Sequence, residues 1–374
     1  MIAAGAAHRF TGAAADPYIL QYGTVQGYSS FRSCLAAFLS DATHHAVDPD
    51  ELLITAGVSH GLDMACRLLA GPGAAVLVEA PTYFLAGDIL RQAGLTLVPV
   101  PTCAEGLDID ALDVLLQQPQ GPRPKLLYTI PIHNNPAGTT IPLAKRQQLL
   151  RLAHKYDFIV VADEVYQLLS FPGEGVLCAA DFKYDQHLYD TRELNGLRGV
   201  CAICSGFRLL CRDAVTMGDS SIKCMRLPQG RQLCKDGVLN SGGSIAPLAS
   251  GVAHSCLELG LLQQHLHKAI RPSLAEGCRA VCEALREEMP SCSFQQPLGG
   301  YFVWVQLPQE VCAEELLQLA AAKHSVGFVP GRACEGLRHM ARLSFSFYRP
   351  RELQEGVRRL AAALTDYLAG DRHA

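Results

Sequence analysis

The residues best placed to do chemistry stand at the ends of apolar runs. In FIVVADEVYQLL, residues 158–169, Phe158 to Val161 give way to Asp163, Glu164 and, three positions after the aspartate, Tyr166. Ligands of an open α/β sheet bind beyond the carboxyl ends of its strands, so an acid and a phenol there can anchor a ligand and steer its charge. The competing reading is a helix N-cap aspartate followed by a packing tyrosine. Three more segments share this placement. Gly57-Val58-Ser59-His60-Gly61 lies between a strand pattern and a helix pattern, where free backbone N–H groups and the helix dipole hold phosphate, although a serine there also serves as a plain N-cap. PTYF, residues 81–84, opens a helix with Tyr83, either an aromatic slab or a packing residue. HNNPAG, residues 133–138, is a polar turn in which Asn135 precedes proline, so its amide projects from a rigid, extended loop. An anion cradle, an aromatic slab, an amide, a carboxylate and a phenol at one sheet edge suit an aromatic cofactor. That cofactor would carry a phosphate, a phenolate oxygen and a basic ring nitrogen.

The elements that must position these groups alternate along the chain. YSSFRSCLAAFLSD reads as an amphipathic helix, ELLITAG as a strand and GLDMACRLLA as a helix. AAVLVEAP, TLVPVP, KLLYTIP and FIVVAD read as further strands, with TYFLAGDILRQAG and AKRQQLLRLAHKY as helices between them. This βαβ rhythm predicts a mostly parallel sheet covered by helices on both faces. From about residue 246 the pattern turns helical, and GGYFVWVQLP and MARLSFSFY then supply strands for a second, smaller α/β unit.

Composition narrows the class. A chain of 374 residues exceeds what one core usually serves, and 49% apolar with 18% charged residues describes a well-buried globule. A net charge of −4 gives no reason to expect a nucleic-acid or membrane partner. The opening MIAAGAAHRFTGAAADPY has no long apolar core, so the expectation is a cytoplasmic protein without a secretory signal. Fifteen cysteines in no repeated frame read as reduced thiols. Cys201 and Cys204 in CAIC have the spacing of a zinc knuckle, but no second close pair follows them.

Taken in order, LQYGTVQGYSSFR, ITAGVSHGLD, VEAPTYF, YTIPIHNNPAG, VVADEVY, PLGGYFVW, VPG and ARLSFSF give the chain a family likeness. It resembles the fold type I, pyridoxal 5′-phosphate (PLP)-dependent aminotransferases of class I/II, in their aminoadipate/kynurenine aminotransferase-like branch. The resemblance implies an α/β fold with an N-terminal arm over residues 1–17, a large PLP-binding domain over 18–260 and a small C-terminal domain over 261–374. It implies transfer of an amino group from an α-amino acid to a 2-oxo acid. It also implies that Asp163 pairs with the pyridine nitrogen and that Tyr166 and Asn135 bond the 3′ oxygen. Tyr83 would stack on the ring, Ser59 and His60 would hold the phosphate, and Arg342 would fork onto the substrate carboxylate. Read without the family, Arg342 is a surface arginine on a strand. Tyr22 matches a tyrosine that reaches the neighbouring subunit's phosphate, which implies a homodimer.

The family's Schiff-base lysine, set in a Ser-x-Ser-Lys loop after a strand, has no intact counterpart. Read by register after GVCAIC, its position falls near Arg208, and a guanidinium stays protonated and forms no imine. Read by local pattern, DSSIK offers Lys223 after two serines, with Arg226 nearby as a phosphate partner; Lys183 and Lys235 are the other lysines of the window. The stretch 190–230 is cysteine-rich and weakly periodic, and is expected to pack poorly. Two functions follow: a transaminase that uses Lys223, or a relic of the fold that binds PLP or another ligand without catalysis.

Overall fold

A computed structural model describes residues 1–11, 15–43, 46–118, 121–173, 200–204, 223–226 and 247–370, with the runs 200–204 and 223–226 described by their backbone pairing alone. Its larger sheet has eight strands: β1 (Leu52–Thr55), β2 (Ala75–Ala80), β3 (Thr96–Cys103), β4 (Gly106–Leu107), β5 (Leu126–Thr129), β6 (Ile159–Asp163), β7 (Val200–Cys204) and β8 (Lys223–Arg226). They lie in the order β1-β8-β7-β6-β5-β2-β3-β4. The neighbours from β7 through β3 are parallel, while β8 runs antiparallel to both β1 and β7. The mostly parallel sheet is therefore as expected.

Both faces of this sheet are covered, which is why its strands are continuously apolar. Helices α1 (Ile2–Phe10), α2 (Ser29–Thr43), α3 (Val58–Leu69), α4 (Phe84–Gln92), α5 (Ile109–Gln117) and α6 (Leu143–Tyr156) precede or interleave with the strands. The two-residue period of a strand divides them cleanly. Leu77, Leu127 and Val160 pack with Leu112 of α5 and Leu149 of α6. Val76, Val78, Leu126, Tyr128 and Val161 face the other way, into a core shared with Leu62 of α3 and Leu90 of α4. Two of these helices, α1 and α5, have no counterpart in the periodicity reading. Asp108 starts α5 by accepting the amide hydrogens of Asp110 and Ala111.

The later α-helices among the described residues are α7 (Pro247–Glu258), α8 (Leu261–His265), α9 (Arg271–Glu288), α10 (Ala313–His324) and α11 (Pro350–Leu368), with a π-helical turn over Leu266–Ile270 joining α8 to α9. A four-stranded sheet, in the order β11-β12-β10-β9, is made by β9 (Ser293–Phe294), β10 (Phe302–Gln306), β11 (Val329–Pro330) and β12 (Met340–Ser344). It forms the core of the smaller C-terminal domain. No helix among the described residues is long and apolar enough to cross a membrane.

The stretch expected to pack poorly contributes two strands to the ladder between β1 and β6. Of that stretch only 200–204 and 223–226 are described, by backbone pairing, and the packing expected of the rest lies outside the described residues. Cys201 and Cys204 both lie on β7. Arg208, Lys183 and Lys235 lie outside the described residues.

The two domains meet along a seam that His133 closes. Phe171 N–H donates to Leu298 O (2.9 Å), and His133 Nε2 lies 2.9 Å from Ser170 Oγ. A Cβ added at Gly299 would come within 2.3 Å of His133 Nε2, so only glycine allows this approach. His133 is 1% exposed, and burial lowers its pKa to about 4.

Two predictions follow from the seam. Gly299→Ala should lower stability by about 1–3 kcal/mol through overpacking, whereas Gly356→Ala on α11, where an added Cβ meets nothing within 4 Å, should raise it by about 0.5–1 kcal/mol. Thermal melts of the two variants should shift in opposite directions. For His133 the folded pKa lies below its ordinary value of 6.5, so the unfolded chain takes up a proton that the folded chain refuses. Its contribution is present above about pH 6.5 and is lost as pH falls toward 4, by about 3 kcal/mol in all. His133→Asn, a residue suited to the local φ of +48°, should flatten the melting-temperature profile over that range. Parallel profiles for wild type and variant would contradict the assignment.

Candidate active site

Asp163 ends β6 at the carboxyl edge of the sheet and is 2% exposed. The segment after it turns into a short 3-10 helix, Gln167–Leu169, whose N-cap is Tyr166, so Asp163 does not cap a helix. Its Oδ2 accepts a 2.9 Å hydrogen bond from the Tyr128 hydroxyl on the neighbouring strand. Burial, with the Asp163 charge beside it, raises the Tyr128 hydroxyl well above the ordinary phenol range, so Tyr128 stays protonated and donates.

Asn135 and Arg342 bring the second sheet to the same place. Arg342 sits on β12 opposite Trp304 of β10 and donates from Nη1 to Asn135 Oδ1 at 2.8 Å. Its guanidinium lies over the rings of Phe302 (4.2 Å) and Phe84 (5.4 Å), which hold it from opposite domains. Asn135 Nδ2 reaches the Tyr166 hydroxyl at 3.3 Å. Tyr166 in turn meets Tyr301 and Phe302 edge-on. Arg342, Asn135 and Tyr166 thus form a continuous polar chain, although their positions span more than two hundred residues. Tyr83, half-buried, is the N-cap of α4 and packs edge-on against Phe84.

Along the edge, α3 starts at Gly57, whose φ of 147° suits glycine. The first bond of this helix is Gly61 N–H to Gly57 O, so the amides of Val58, Ser59 and His60 precede the intrahelical ladder. His60 Nδ1 accepts from the Ala56 amide (3.1 Å), which leaves the proton on Nε2, and burial lowers the ring's pKa. Ser59 is exposed. Lys223 is the first residue of β8, paired with Thr55 at the end of β1. Because β8 is antiparallel, its first residue lies at the edge where β1 and β6 end. Tyr22 is 97% exposed and stands in solvent on this chain.

Residue-level reasoning missed three partners of this site. Glu79 on β2 is 0% exposed and accepts hydrogen bonds from Thr129 Oγ1 (2.8 Å), Ile130 N–H (2.9 Å) and Asn134 Nδ2 (2.8 Å). Burial pushes its carboxyl up to about 7 against those bonds, with the Asp163 charge adding to the rise. A lone acid inside the apolar run AAVLVEAP was the available signal, because buried charges need partners. Tyr128 in KLLYTIP carries no such mark, since an aromatic residue in a buried strand reads as packing. Asn134 is hidden beside the more conspicuous Asn135.

Comparison with known proteins agrees with this geometry. Residues 2–188 match the family model for aminotransferase class I and II. The chain is 32% identical over 359 residues to a 2-aminoadipate transaminase of Thermus thermophilus, covering 94% of this chain and 83% of that protein. It is 29% identical to an aromatic-amino-acid aminotransferase of Thermococcus litoralis, covering 93% and 80%. Among solved structures, the T. thermophilus α-aminoadipate aminotransferase, complexed with N-(5′-phosphopyridoxyl)-L-leucine, aligns with a TM-score of 0.84 at 30% identity, covering 98% and 88%. A kynurenine aminotransferase of Pyrococcus horikoshii, in complex with PMP, aligns with a TM-score of 0.82 at 28% identity, covering 94% and 83%. The two solved relatives hold PMP or a phosphopyridoxyl group, which supports PLP as the cofactor of this fold. The chain belongs to the class I and II aminotransferases, with the PLP-dependent fold type I architecture of the kynurenine/aminoadipate-like branch.

Proposed function

We propose that this chain is a working transaminase in which Lys223 is the lysine that carries PLP. The observation that supports it best is the chain from Arg342 through Asn135 to Tyr166, beside the buried Asp163. That donor set fits the cofactor: a carboxylate for a ring nitrogen, an amide and a phenol for a ring oxygen, and leading helix amides for a phosphate. When bound, PLP supplies an electron sink for charge released at the substrate Cα.

Asp163 would hold the pyridine nitrogen and favour its protonated form, and Tyr128, donating to Oδ2, fixes the carboxylate's orientation. Tyr166 Oη and Asn135 Nδ2 would hold the 3′ oxygen, and Tyr83 would supply an aromatic contact to the ring. The Ser59 and His60 amides, with the dipole of α3, hold the phosphate. Arg342, already braced against Phe302 and Asn135, takes the substrate α-carboxylate as a fork. Lys223 is favoured by its backbone place opposite Thr55 at this edge. The exposure of Tyr22 suits a homodimer in which it reaches the partner's phosphate. The arm at 1–17, large domain at 18–260 and small domain at 261–374 complete this reading.

The test is a PLP titration of wild type and Asp163→Ala, followed by 2-oxo acid release from an α-amino acid with no acceptor present. Wild type should release one equivalent per bound PLP. Asp163→Ala should lose over about a hundredfold in affinity or rate, the cost of about 3–5 kcal/mol for breaking a sheltered charge pair. Equal affinity and release in both proteins would contradict the role of Asp163. Tight PLP binding without release in wild type would favour the relic.

A further inference from the structure

We propose that Glu79 is a positioning residue of the aminotransferase site: through Asn134 it sets the turn that presents Asn135 to Arg342 and Tyr166. The inference rests on the functional reading above for what Asn135 does. The tethering itself rests on the contacts around Glu79.

Glu79 is fully buried and receives three donors on two oxygens. Thr129 Oγ1 reaches Oε1, while Ile130 N–H and Asn134 Nδ2 converge on Oε2. Its links therefore run to both the end of β5 and the turn beyond it. Asn134 is the hub of that turn. Its Oδ1 accepts from Ala137 N–H (3.1 Å), its N–H donates to Thr139 O (2.8 Å), and its carbonyl accepts from Gly138 N–H (2.7 Å). The next residue is Asn135, whose amide must meet a donor from β12 on one side and a phenol on the other. Removing the carboxylate would leave the Asn134 amide and the Ile130 N–H without this buried acceptor and free the turn to shift. A shift of the turn misplaces Asn135 and, with it, the support beneath Arg342.

The site calls for an acceptor at Oε2, where two N–H donors meet, but not at Oε1, where a threonine hydroxyl can donate or accept. Glutamine therefore satisfies all three partners with its NH2 turned to Thr129. Alanine satisfies none. This difference separates positioning from charge.

The experiment uses PLP-loaded protein and 3-phenylpropionate, a carboxylate without an amine, with calorimetry for affinity and amide hydrogen exchange for the turn. Glu79→Ala should weaken carboxylate binding at least about tenfold and speed exchange at Ala137 and Gly138. Glu79→Gln should stay within about threefold of wild type on affinity, with wild-type exchange. Because Glu79 acts through Asn134, Glu79→Ala/Asn134→Ala should be no worse than the weaker-binding single variant. Wild-type affinity and exchange in Glu79→Ala, or equal losses in Glu79→Gln and Glu79→Ala, would overturn the proposal. Should Glu79→Ala fail to fold, Asn134→Ala replaces it, since the carboxylate keeps Thr129 and Ile130; wild-type carboxylate affinity there would be equally contrary. Faster turn exchange in Glu79→Ala, with no PLP bound by wild type, would support the tether and reject the functional reading instead.

Discussion

One side-chain amide joins the two domains at the point where chemistry is placed. Asn135 receives Arg342 from the small sheet on its oxygen and offers its NH2 to Tyr166, just beyond β6 of the large one. An amide is suited to this because it donates and accepts at once, in a fixed plane. Arg342 also lies over Phe302 and Phe84, one ring from each domain. The guanidinium is therefore oriented by packing as well as by hydrogen bonding, and a planar fork is the part of the side chain that such orientation preserves. The seam through His133, Ser170 and Gly299 fixes the domains on the far side of the same turn.

Behind the amide lies an unusual concentration of buried acid. Glu79 and Asp163 are both nearly or wholly out of solvent, and each is met by hydrogen-bond donors from β5 or the turn beyond it. A buried carboxylate without such donors would be costly, so β5 must supply them in register with both neighbouring strands. It does so because alternate residues face opposite ways: Thr129 reaches Glu79, and Tyr128 reaches Asp163. The parallel pairing of β5 with β2 and β6 is what makes both contacts available from adjacent residues.

Much of the large domain could be read from the chain. FIVVAD and KLLYTIP are apolar without alternation because both faces are covered, and the strand ends carry the polar groups that an open sheet exposes to ligand. Asp163, Tyr166 and Asn135 are legible this way; the structure links Tyr166 and Asn135 to Arg342, with Asp163 ending β6 three residues before Tyr166 and bonded to Tyr128. Helix α1 was missed because MIAAGAAHRF has little contrast between faces, and its packing comes from Ser255 and Gly251, more than two hundred residues away. Glu79 and Tyr128 were missed for a related reason: a hydrogen-bond partner on the next strand leaves no local spacing to read. GVCAIC reads as a strand and β7 lies there, but the weak pattern around DSSIK hid β8, because a strand added between β1 and β7 is held by its neighbours rather than by its own periodicity.

The account turns on which lysine carries the cofactor. Borohydride reduction of PLP-loaded protein, followed by proteolysis and mass spectrometry, locates the pyridoxyl group on the chain. The account predicts a single modified peptide, labelled at Lys223. Label at Lys183 or Lys235, or no covalent label in protein that has bound PLP, would contradict it.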